Sequence, residues 1–320
     1  SFRIAYDFLN GIEYHYEEAQ YWVWSQNPSL SYLTKGPFVA SIISLSNSIF
    51  GQSYFGLKFF SLLAYIGTII FMSYSSIALN KDKNIGVTAL LITGLSPAVF
   101  FLGGVASTDV YLFFFWSLAL FGYIKFYVNK DERWFYLISL ATGLGKKTKL
   151  TMPHLPTSIL IYFLVTENRK YFYSIHLYFS ALLAILIASP IIIWNIDNDW
   201  LTLSHEMGHL VSGTPSNNPE ILLMTMIVTI PSALLLFIKD IRAKIFSKES
   251  SFLLIPFLIM FSFLVLKSFS GKIQLNWTIP LFLTLVPLLS YAVNNKTKSV
   301  IALSFFILSP IFLISNKLIS

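Results

Sequence analysis

Long apolar segments recur along this 320-residue chain, and they limit its fold more than any other feature. A helix needs about 20 apolar residues to cross about 30 Å of hydrocarbon. Only helices and closed barrels satisfy their backbone hydrogen bonds in lipid. The segments are too long and too uniformly apolar for the short alternating strands of a barrel. The sequence therefore predicts an all-α polytopic membrane protein.

The apolar segments predict a bundle of about ten or more spans. The candidate spans are residues 54–79, 85–104, 110–128, 135–145, 152–166, 175–194, 221–239, 252–269, 276–293 and 299–316. Segments 135–145 and 152–166 are short, and we interpret them as half-helices that meet at residues 143–149. Residues 37–50 are amphipathic, which is typical of a helix in the membrane interface.

The net charge of +7 is better explained by membrane topology than by nucleic acid. Basic residues cluster in short loops that fall on one side when the spans alternate, and that side is cytoplasmic. These residues are Lys81, Lys83, Lys130, Arg133, Arg169, Lys170, Lys239, Arg242, Lys244, Lys248, Lys296 and Lys298. Residues 1–53, 107–109, 145–149, 195–220 and 270–276 then lie outside. The absence of cysteine excludes disulfides and thiolate chemistry.

We expect a single transmembrane domain in the bacterial inner membrane. Residues 1–53 would form the first extracytoplasmic loop with its interfacial helix, and residues 54–320 the membrane bundle. The chain begins at Ser1 without a methionine and enters a polar stretch directly. We therefore expect either that a first span has been lost or that this sequence is a fragment.

An acidic and aromatic cluster at residues 15–26, HYEEAQYWVWSQ, is the best indication of chemistry. Glu17 and Glu18 are candidate catalytic carboxylates, and Trp22 is a candidate substrate contact. Tyr32 and Lys35 follow shortly afterwards as further substrate-binding candidates. The alternative is a solvated acid pair within an interfacial aromatic belt, and the residues alone leave both interpretations open.

Other polar residues interrupt the apolar pattern on the same predicted side. Asp109 opens an apolar run, where Thr108 or Asp109 can cap the helix, but an ionisable group at a span's edge is also a functional candidate. Lys146 and Lys149 favour a site for an anion such as a lipid phosphate, because they would lie outside against the usual charge trend. Asn276 opens a later span and is a further substrate-binding candidate.

The segment from His205 through Glu206 to His209 matches the H-E-x-x-H pattern of zinc proteases. A helix would place both imidazoles on one face with a glutamate as base. No suitable third ligand follows, and Pro215 and Pro219 interrupt the sequence downstream. We therefore treat His205 and His209 as candidate ligands of a divalent metal, with no cofactor otherwise indicated, and we do not expect proteolysis.

Residues 16–26 resemble the Asp-Glu-Ala-x-Tyr-Trp-x-Trp-Ser segment of bacterial lipid-linked sugar transferases. These belong to the C-type glycosyltransferase superfamily and include protein O-mannosyltransferase-like and aminoarabinose-transferase-like members. Further matches keep the family's order across about residues 15–290. They lie at residues 32–37, 106–109, 115–116, 143–145, 148–151, 189–190, 194–195, 199–200 and 276–277.

The resemblance implies a helical bundle with an extracytoplasmic active-site loop. It also implies a sugar donor on a polyprenyl phosphate and a lipid A, protein or other envelope acceptor. Glu17 takes the position of the family's catalytic Asp, and Glu18 matches the second acid. Asp109 matches an acid that lines the same cavity, and Lys35 matches a basic position near the carrier phosphate. Many relatives continue into a soluble C-terminal domain, and we expect this chain to be a fragment or a minimal member without it.

We therefore expect an inverting membrane glycosyltransferase, with no nucleic-acid partner. Two alternatives come from other classes. One is a membrane zinc metalloprotease that uses His205, Glu206 and His209. The other is a non-enzymatic lipid or sugar transporter, in which the acids would line a path.

Overall fold

The computed structural model describes residues 15–202, 204–205, 239–270 and 275–293, and all regular structure in these ranges is helical. The α-helices, numbered α1 to α12, are Tyr16–Gln26, Phe38–Phe50, Tyr54–Asn80, Lys83–Gly94, Pro97–Gly103, Thr108–Asn129, Trp134–Lys146, His154–Val165, Ile175–Asp197, Lys239–Ile245, Ser251–Ser270 and Ile279–Ala292. Short 3₁₀ helices occupy Glu167–Tyr173, Lys248–Ser250 and Leu275–Thr278. The all-α prediction is confirmed. The predicted span 299–316 and residues 221–238 lie outside the described residues.

Four helical segments in the described ranges are long and apolar enough to cross a membrane: α3, α6, α9 and residues 248–269. The predicted span 85–104 is a broken pair, because α4 and α5 meet at a bend of 68°. Ser96 has φ −62° and ψ 119°, the extended backbone that a residue before proline prefers. Pro97 then occupies the first turn of α5, where its missing N–H leaves no helical bond unmade. The pair counts as a fifth span if it crosses as one unit.

Helices α3 and α6 run side by side in the same direction. Ser61 pairs with Tyr111 near their N-terminal ends, and Phe71 contacts Phe121 further along. The 22 residues of α6 extend about 33 Å at about 1.5 Å per residue, which matches the hydrocarbon thickness. Asp109 therefore lies about one membrane thickness from Lys130.

The end of α6 that carries Lys130 is also where other basic loops gather. The Tyr127 ring stacks on Phe252 with centroids 3.7 Å apart, just after the 3₁₀ helix Lys248–Ser250. The Phe126 ring contacts Tyr171 in the 3₁₀ helix Glu167–Tyr173. Three predicted cytoplasmic loops thus meet at one end of the bundle, opposite Asp109.

The two predicted half-helices are present as α7 and α8. Helix α7 has 13 residues, about 20 Å of helix, which is too short to cross the hydrocarbon upright. A turn at residues 147–153 joins it to α8. Gly143 lies against α9, because a Cβ there would come within 2.7 Å of Ile187 Cβ. The turn that follows lies at the end of the bundle that holds Asp109, because Lys149 in the turn bonds to Asp109.

Candidate functional site

Glu17 lies in the first turn of α1, where four charged side chains act on it. Burial raises the pKa of its carboxyl, and the Asp109 carboxylate raises it further. Lys35 and Lys149 lower the same pKa, and the adjacent Glu18 raises it. The sequence analysis selected all five residues, from four separate segments, and the fold brings the other four within electrostatic reach of Glu17.

Asp109 joins two distant parts of the chain. Its Oδ1 accepts a hydrogen bond of 2.6 Å from Lys149 Nζ, and its Oδ2 accepts one of 2.6 Å from Asn276 Nδ2. Asp109 is 3% exposed and Lys149 is 7% exposed. Such charge-assisted bonds are short and about twice as strong as neutral ones. Asp109 therefore fixes both the 147–153 turn and the 3₁₀ helix that precedes α12.

The N-cap of α6 differs from the prediction by one or two residues. Ser107 is the cap, and its side chain accepts a hydrogen bond from the Asp109 N–H at 3.3 Å. Ser107 has the extended backbone that an N-cap requires, while Thr108 and Asp109 already belong to the helix. The Asp109 carboxylate is thus available to Lys149 and Asn276.

Glu18 is enclosed by protein and faces away from solvent. Its Oε1 accepts hydrogen bonds from Lys58 Nζ and from the Ala106 N–H, the latter at 2.7 Å. Its Oε2 accepts the His15 N–H at 3.1 Å and completes a capping box for α1. Glu18 is 0% exposed. Sequence reasoning missed Lys58, although a lysine one turn into an apolar span is itself unusual.

Lys35 belongs to a loop that packs against the 147–153 turn. The Phe38 N–H donates to the Lys147 carbonyl at 3.1 Å. Gly36 lies so close to this carbonyl that a Cβ there would come within 2.1 Å of its oxygen. Only glycine allows this approach. The lysine-containing loop and the lysine-containing turn are therefore held together by backbone contact.

The remaining predicted binding residues occupy different environments. The Tyr32 ring stacks on Trp24 at 4.3 Å, and its hydroxyl donates to the Trp24 carbonyl at 3.0 Å. Tyr32 thus fastens its loop to α1. Trp22 is 36% exposed on α1, and Lys146 is half-buried at the end of α7.

An open cavity adjoins the Asp109 network, with about 420 Å³ of empty space when the solvent at its mouth is included. Lys149 and Asn276 line it on the polar side, together with Thr151 and His154. Its other walls are mainly apolar and come from α6, α11, α12 and the 3₁₀ helix before α12. They are formed by Leu112, Trp116, Met260, Phe263, Leu264, Trp277, Pro280 and Leu281.

The candidate metal ligands are only partly described. His205 lies within the described ranges, whereas Glu206 and His209 lie outside them. Among the described residues no group of three or more His, Cys, Asp or Glu side chains is arranged to hold a metal. The pairing of His205 with His209 stays a prediction.

Glu17, Asp109, Lys35 and Lys149 together form a charged junction. The fold and this charged junction define a multi-pass membrane protein with a polar site at one end of its helical bundle. The family model of dolichyl-phosphate-mannose-protein mannosyltransferases matches residues 34–194, half of the chain. The chain belongs to this family. The resemblance drawn from residues 16–26 and the later motifs is thereby confirmed.

A curated relative is lipid A galacturonosyltransferase RgtD of Rhizobium johnstonii, 26% identical over 208 residues. The match covers 62% of this chain and 41% of the relative. The chain thus spans less than half the length of that protein.

Two solved structures of ArnT from Cupriavidus metallidurans share the fold. The apo structure has a TM-score of 0.75 at 15% identity and covers 90% of this chain and 57% of ArnT. The structure bound to undecaprenyl phosphate has a TM-score of 0.70 at 18% identity and covers 87% of this chain and 56% of ArnT. The predicted C-type glycosyltransferase-like bundle is therefore confirmed as the fold.

Proposed function

We propose that this protein is an inverting membrane glycosyltransferase that moves a sugar from a polyprenyl-phosphate donor to a lipid acceptor. The observation that carries the proposal is the junction of two carboxylates, Glu17 and Asp109, with two lysines, Lys35 and Lys149. A transferase of this kind needs a base or orienting group beside cations for a leaving phosphate. Family membership, the name of RgtD and the lipid in the ArnT structure all support this chemistry.

In the proposed reaction an acceptor oxygen forms a bond to the sugar's anomeric carbon as the bond from that carbon to the carrier phosphate oxygen breaks. The Glu17 carboxylate takes the proton from an acceptor hydroxyl. Its raised pKa suits this role, because a base works best when its pKa lies near the working pH. If the acceptor is itself a phosphate, no proton needs to move, and Glu17 orients the acceptor.

Lys35 and Lys149 stabilise the charge on the departing carrier phosphate. A lysine has three N–H donors, so Lys149 can bind phosphate while one donor stays on Asp109. That fixed bond orients the ammonium group before the reaction, which lowers the cost of reorganisation as charge develops. Asp109 acts through Lys149 and Asn276, because each of its oxygens already accepts a bond of 2.6 Å.

The apolar cavity beside Lys149 provides a place for the isoprenoid portion next to the carrier phosphate. Its walls are mainly aliphatic and aromatic, while Lys149 and Asn276 stand at its polar side. An amphiphilic donor would place its phosphate at Lys149 and its first isoprene units against Trp116 and Leu281. The membrane-spanning helices accommodate the rest of the tail.

For the acceptor we propose lipid A, with a protein or another envelope glycan as the second choice. The name of RgtD favours lipid A. Mass spectrometry of lipid A and of envelope glycoproteins from cells with and without the gene distinguishes these acceptors. A sugar lost from lipid A alone supports the first choice, and one lost from glycoproteins alone overturns it.

We further propose that the site faces the outer side of the bacterial inner membrane. The support is that Lys130 and the neighbouring basic loops lie at the end opposite Asp109, and basic loops stay in the cytoplasm.

Transfer by purified protein is the direct test of the proposed activity. The protein, reconstituted in detergent or vesicles, is given a radiolabelled polyprenyl-phosphate sugar and lipid A. Formation of labelled lipid A that disappears in the Glu17→Gln variant supports the proposal. Movement of labelled carrier across the bilayer without any transfer indicates the transporter alternative instead.

The same preparation tests the predicted metal. Elemental analysis of the purified protein, and of a variant with His205→Ala and His209→Ala, measures bound divalent ions. Stoichiometric metal that is lost in the variant supports the two histidines as ligands. A peptide product that depends on Glu206 would favour the protease alternative.

A further inference from the structure

Glu18 and Lys58 form a buried ion pair that the proposed reaction leaves unused. The two residues lie on α1 and α3, forty positions apart, and they are 0% and 4% exposed. Removing two charges from water is costly, and their attraction offsets this cost only when further hydrogen bonds complete the geometry. Glu18 has such bonds, from the N–H groups of Ala106 and His15.

The position of Ala106 links this pair to the reaction site. Ala106 directly precedes Ser107, the N-cap of α6, and Asp109 lies in the first turn of that helix. Glu18 directly follows Glu17 in the first turn of α1. The buried Glu18 carboxylate thus contacts α3 and the loop before α6. It therefore links α1, which carries Glu17, to the start of α6, which carries Asp109.

Helix α1 needs such an attachment. It has 11 residues, and isolated helices of this length are only marginally stable in water. Its Val23 is 56% exposed and its Tyr16 is 75% exposed, so much of its surface is not covered by the part of the chain that the structure describes. The bonds from Glu18 to α3 and to Ala106 fix the rotation of α1, and this rotation sets where the Glu17 carboxylate points.

We propose that Glu18 and Lys58 are positioning residues that hold Glu17 in place beside Asp109 and Lys149. The inference rests on the proposed glycosyl transfer. Glu18 has no exposed surface and both of its oxygens accept protein hydrogen bonds, so it does not touch substrate. Ser61 on α3, one turn after Lys58, and Tyr111 on α6 also share a buried hydrogen bond of 3.2 Å. This bond is a further polar contact between α3 and α6.

The principal test is a kinetic comparison of Lys58→Met with Lys58→Arg. Methionine keeps the length of the side chain and removes its charge. We expect Lys58→Met to lower kcat about 100-fold, because misplacing a reacting group by about 1 Å costs that much. The KM for the donor should change far less, since Lys35 and Lys149 remain. Lys58→Arg keeps the cation and should retain most of the parent kcat.

A matched control separates positioning from loss of stability. Tyr123→Phe removes a buried hydrogen bond of 2.9 Å to the Phe252 carbonyl, at the opposite end of α6. It should lower the Tm while the kcat of the folded protein stays at the parent value. A loss of kcat in Tyr123→Phe equal to that in Lys58→Met would show that general destabilisation is sufficient, and would overturn the proposal.

The double variant Glu18→Gln with Lys58→Met covers the case in which the single variant does not fold. It removes both buried charges, so it should be recovered as folded protein. Its kcat should still lie well below the parent value, because the amide has one acceptor oxygen where the carboxylate has two. A parent-like kcat in the double variant would refute the positioning role.

The Glu17→Gln variant distinguishes failure of the positioning role from failure of the proposed function. If Glu17→Gln abolishes transfer and Lys58→Met does not reduce kcat, the site assignment stands and the positioning role is wrong. If Glu17→Gln transfers sugar at the parent rate, the proposed function fails at its central residue, whatever Lys58→Met does.

Discussion

The Lys149 ammonium group lies 2.6 Å from Asp109 Oδ1, and both side chains are more than nine-tenths buried. The pair joins the start of α6 to the turn between α7 and α8. Both side chains act electrostatically on Glu17, and Lys149 also lines the apolar cavity. The Asp109 carboxylate balances the charge of the Lys149 ammonium group. Its hydrogen bond also fixes the direction of the two remaining N–H donors of Lys149. The pair therefore attaches the turn between the two short helices, α7 and α8, to the start of α6.

Replacing Lys149 with methionine should weaken use of the lipid-linked donor. A hydrogen bond to a charged group contributes about 1.5–3 kcal/mol, which corresponds to a loss of about 10- to 100-fold in kcat/KM for the donor. The acceptor's KM should change little. Lys125→Met is the control, because Lys125 lies over the Trp134 ring towards the other end of α6. Equal losses in both variants would argue against a phosphate contact at Lys149.

Glu17 should be the most sensitive position in the site. Removing a general base typically costs about 10²–10⁴-fold in rate, so Glu17→Gln should nearly abolish transfer in single-turnover assays. Glu17→Asp restores the residue usual in the family and should retain activity. If Glu17→Gln keeps the parent rate, the base lies elsewhere and Asp109 becomes the leading candidate.

The raised pKa of Glu17 gives the pH dependence a definite sign. Transfer to a hydroxyl acceptor needs the ionised carboxylate, so its rate should fall with decreasing pH at a value above 4.5, the ordinary pKa of glutamate. The pH profile of kcat measures this limb. A Glu17→Asp variant should keep an acid limb, whereas the residual rate of Glu17→Gln should lack it.

The same shift implies that ionised Glu17 destabilises the folded protein. A carboxyl with a raised pKa binds its proton more tightly in the folded state, so stability falls as pH rises through the shifted pKa. Glu17→Gln removes this cost and should melt at the same temperature as the parent protein or higher at neutral pH. A large decrease in the Tm of Glu17→Gln would contradict this assignment.

Gly36→Ala should separate the Lys35 loop from the 147–153 turn. The new methyl group would lie 2.1 Å from the Lys147 carbonyl oxygen, so the backbone must move and Lys35 with it. We expect a higher KM for the donor. Gly94→Ala is a suitable control, since its nearest contact is Ile69 Cδ1 at 3.1 Å, the flexible end of a side chain.

The sequence predicted the helical class, most of the helix positions and the residues of the charged junction, because apolar length and isolated charges are local features. It did not predict the contacts between those charges. Lys58 was missed because it belongs to an apolar span and its partner lies forty residues away. The 68° bend at Pro97 was missed because the apolar run continues through it, and the Gly36 contact depends on the path of a loop.

The orientation of the bundle can be tested by labelling single cysteines, because the chain has none of its own. We expect Val23→Cys on α1 to react with an impermeant maleimide in spheroplasts, with Glu17, Asp109 and His205 on the same face. Lys83→Cys and Arg133→Cys should react only after permeabilisation, since basic loops stay in the cytoplasm. All three positions are exposed, so reactivity should report the side of the membrane and not burial.

Transfer activity of each variant confirms that it is folded. Labelling at position 133 but not at position 23 in sealed spheroplasts would reverse the orientation. The site would then face the cytoplasm, and an acceptor on the outer side would no longer be accessible to it.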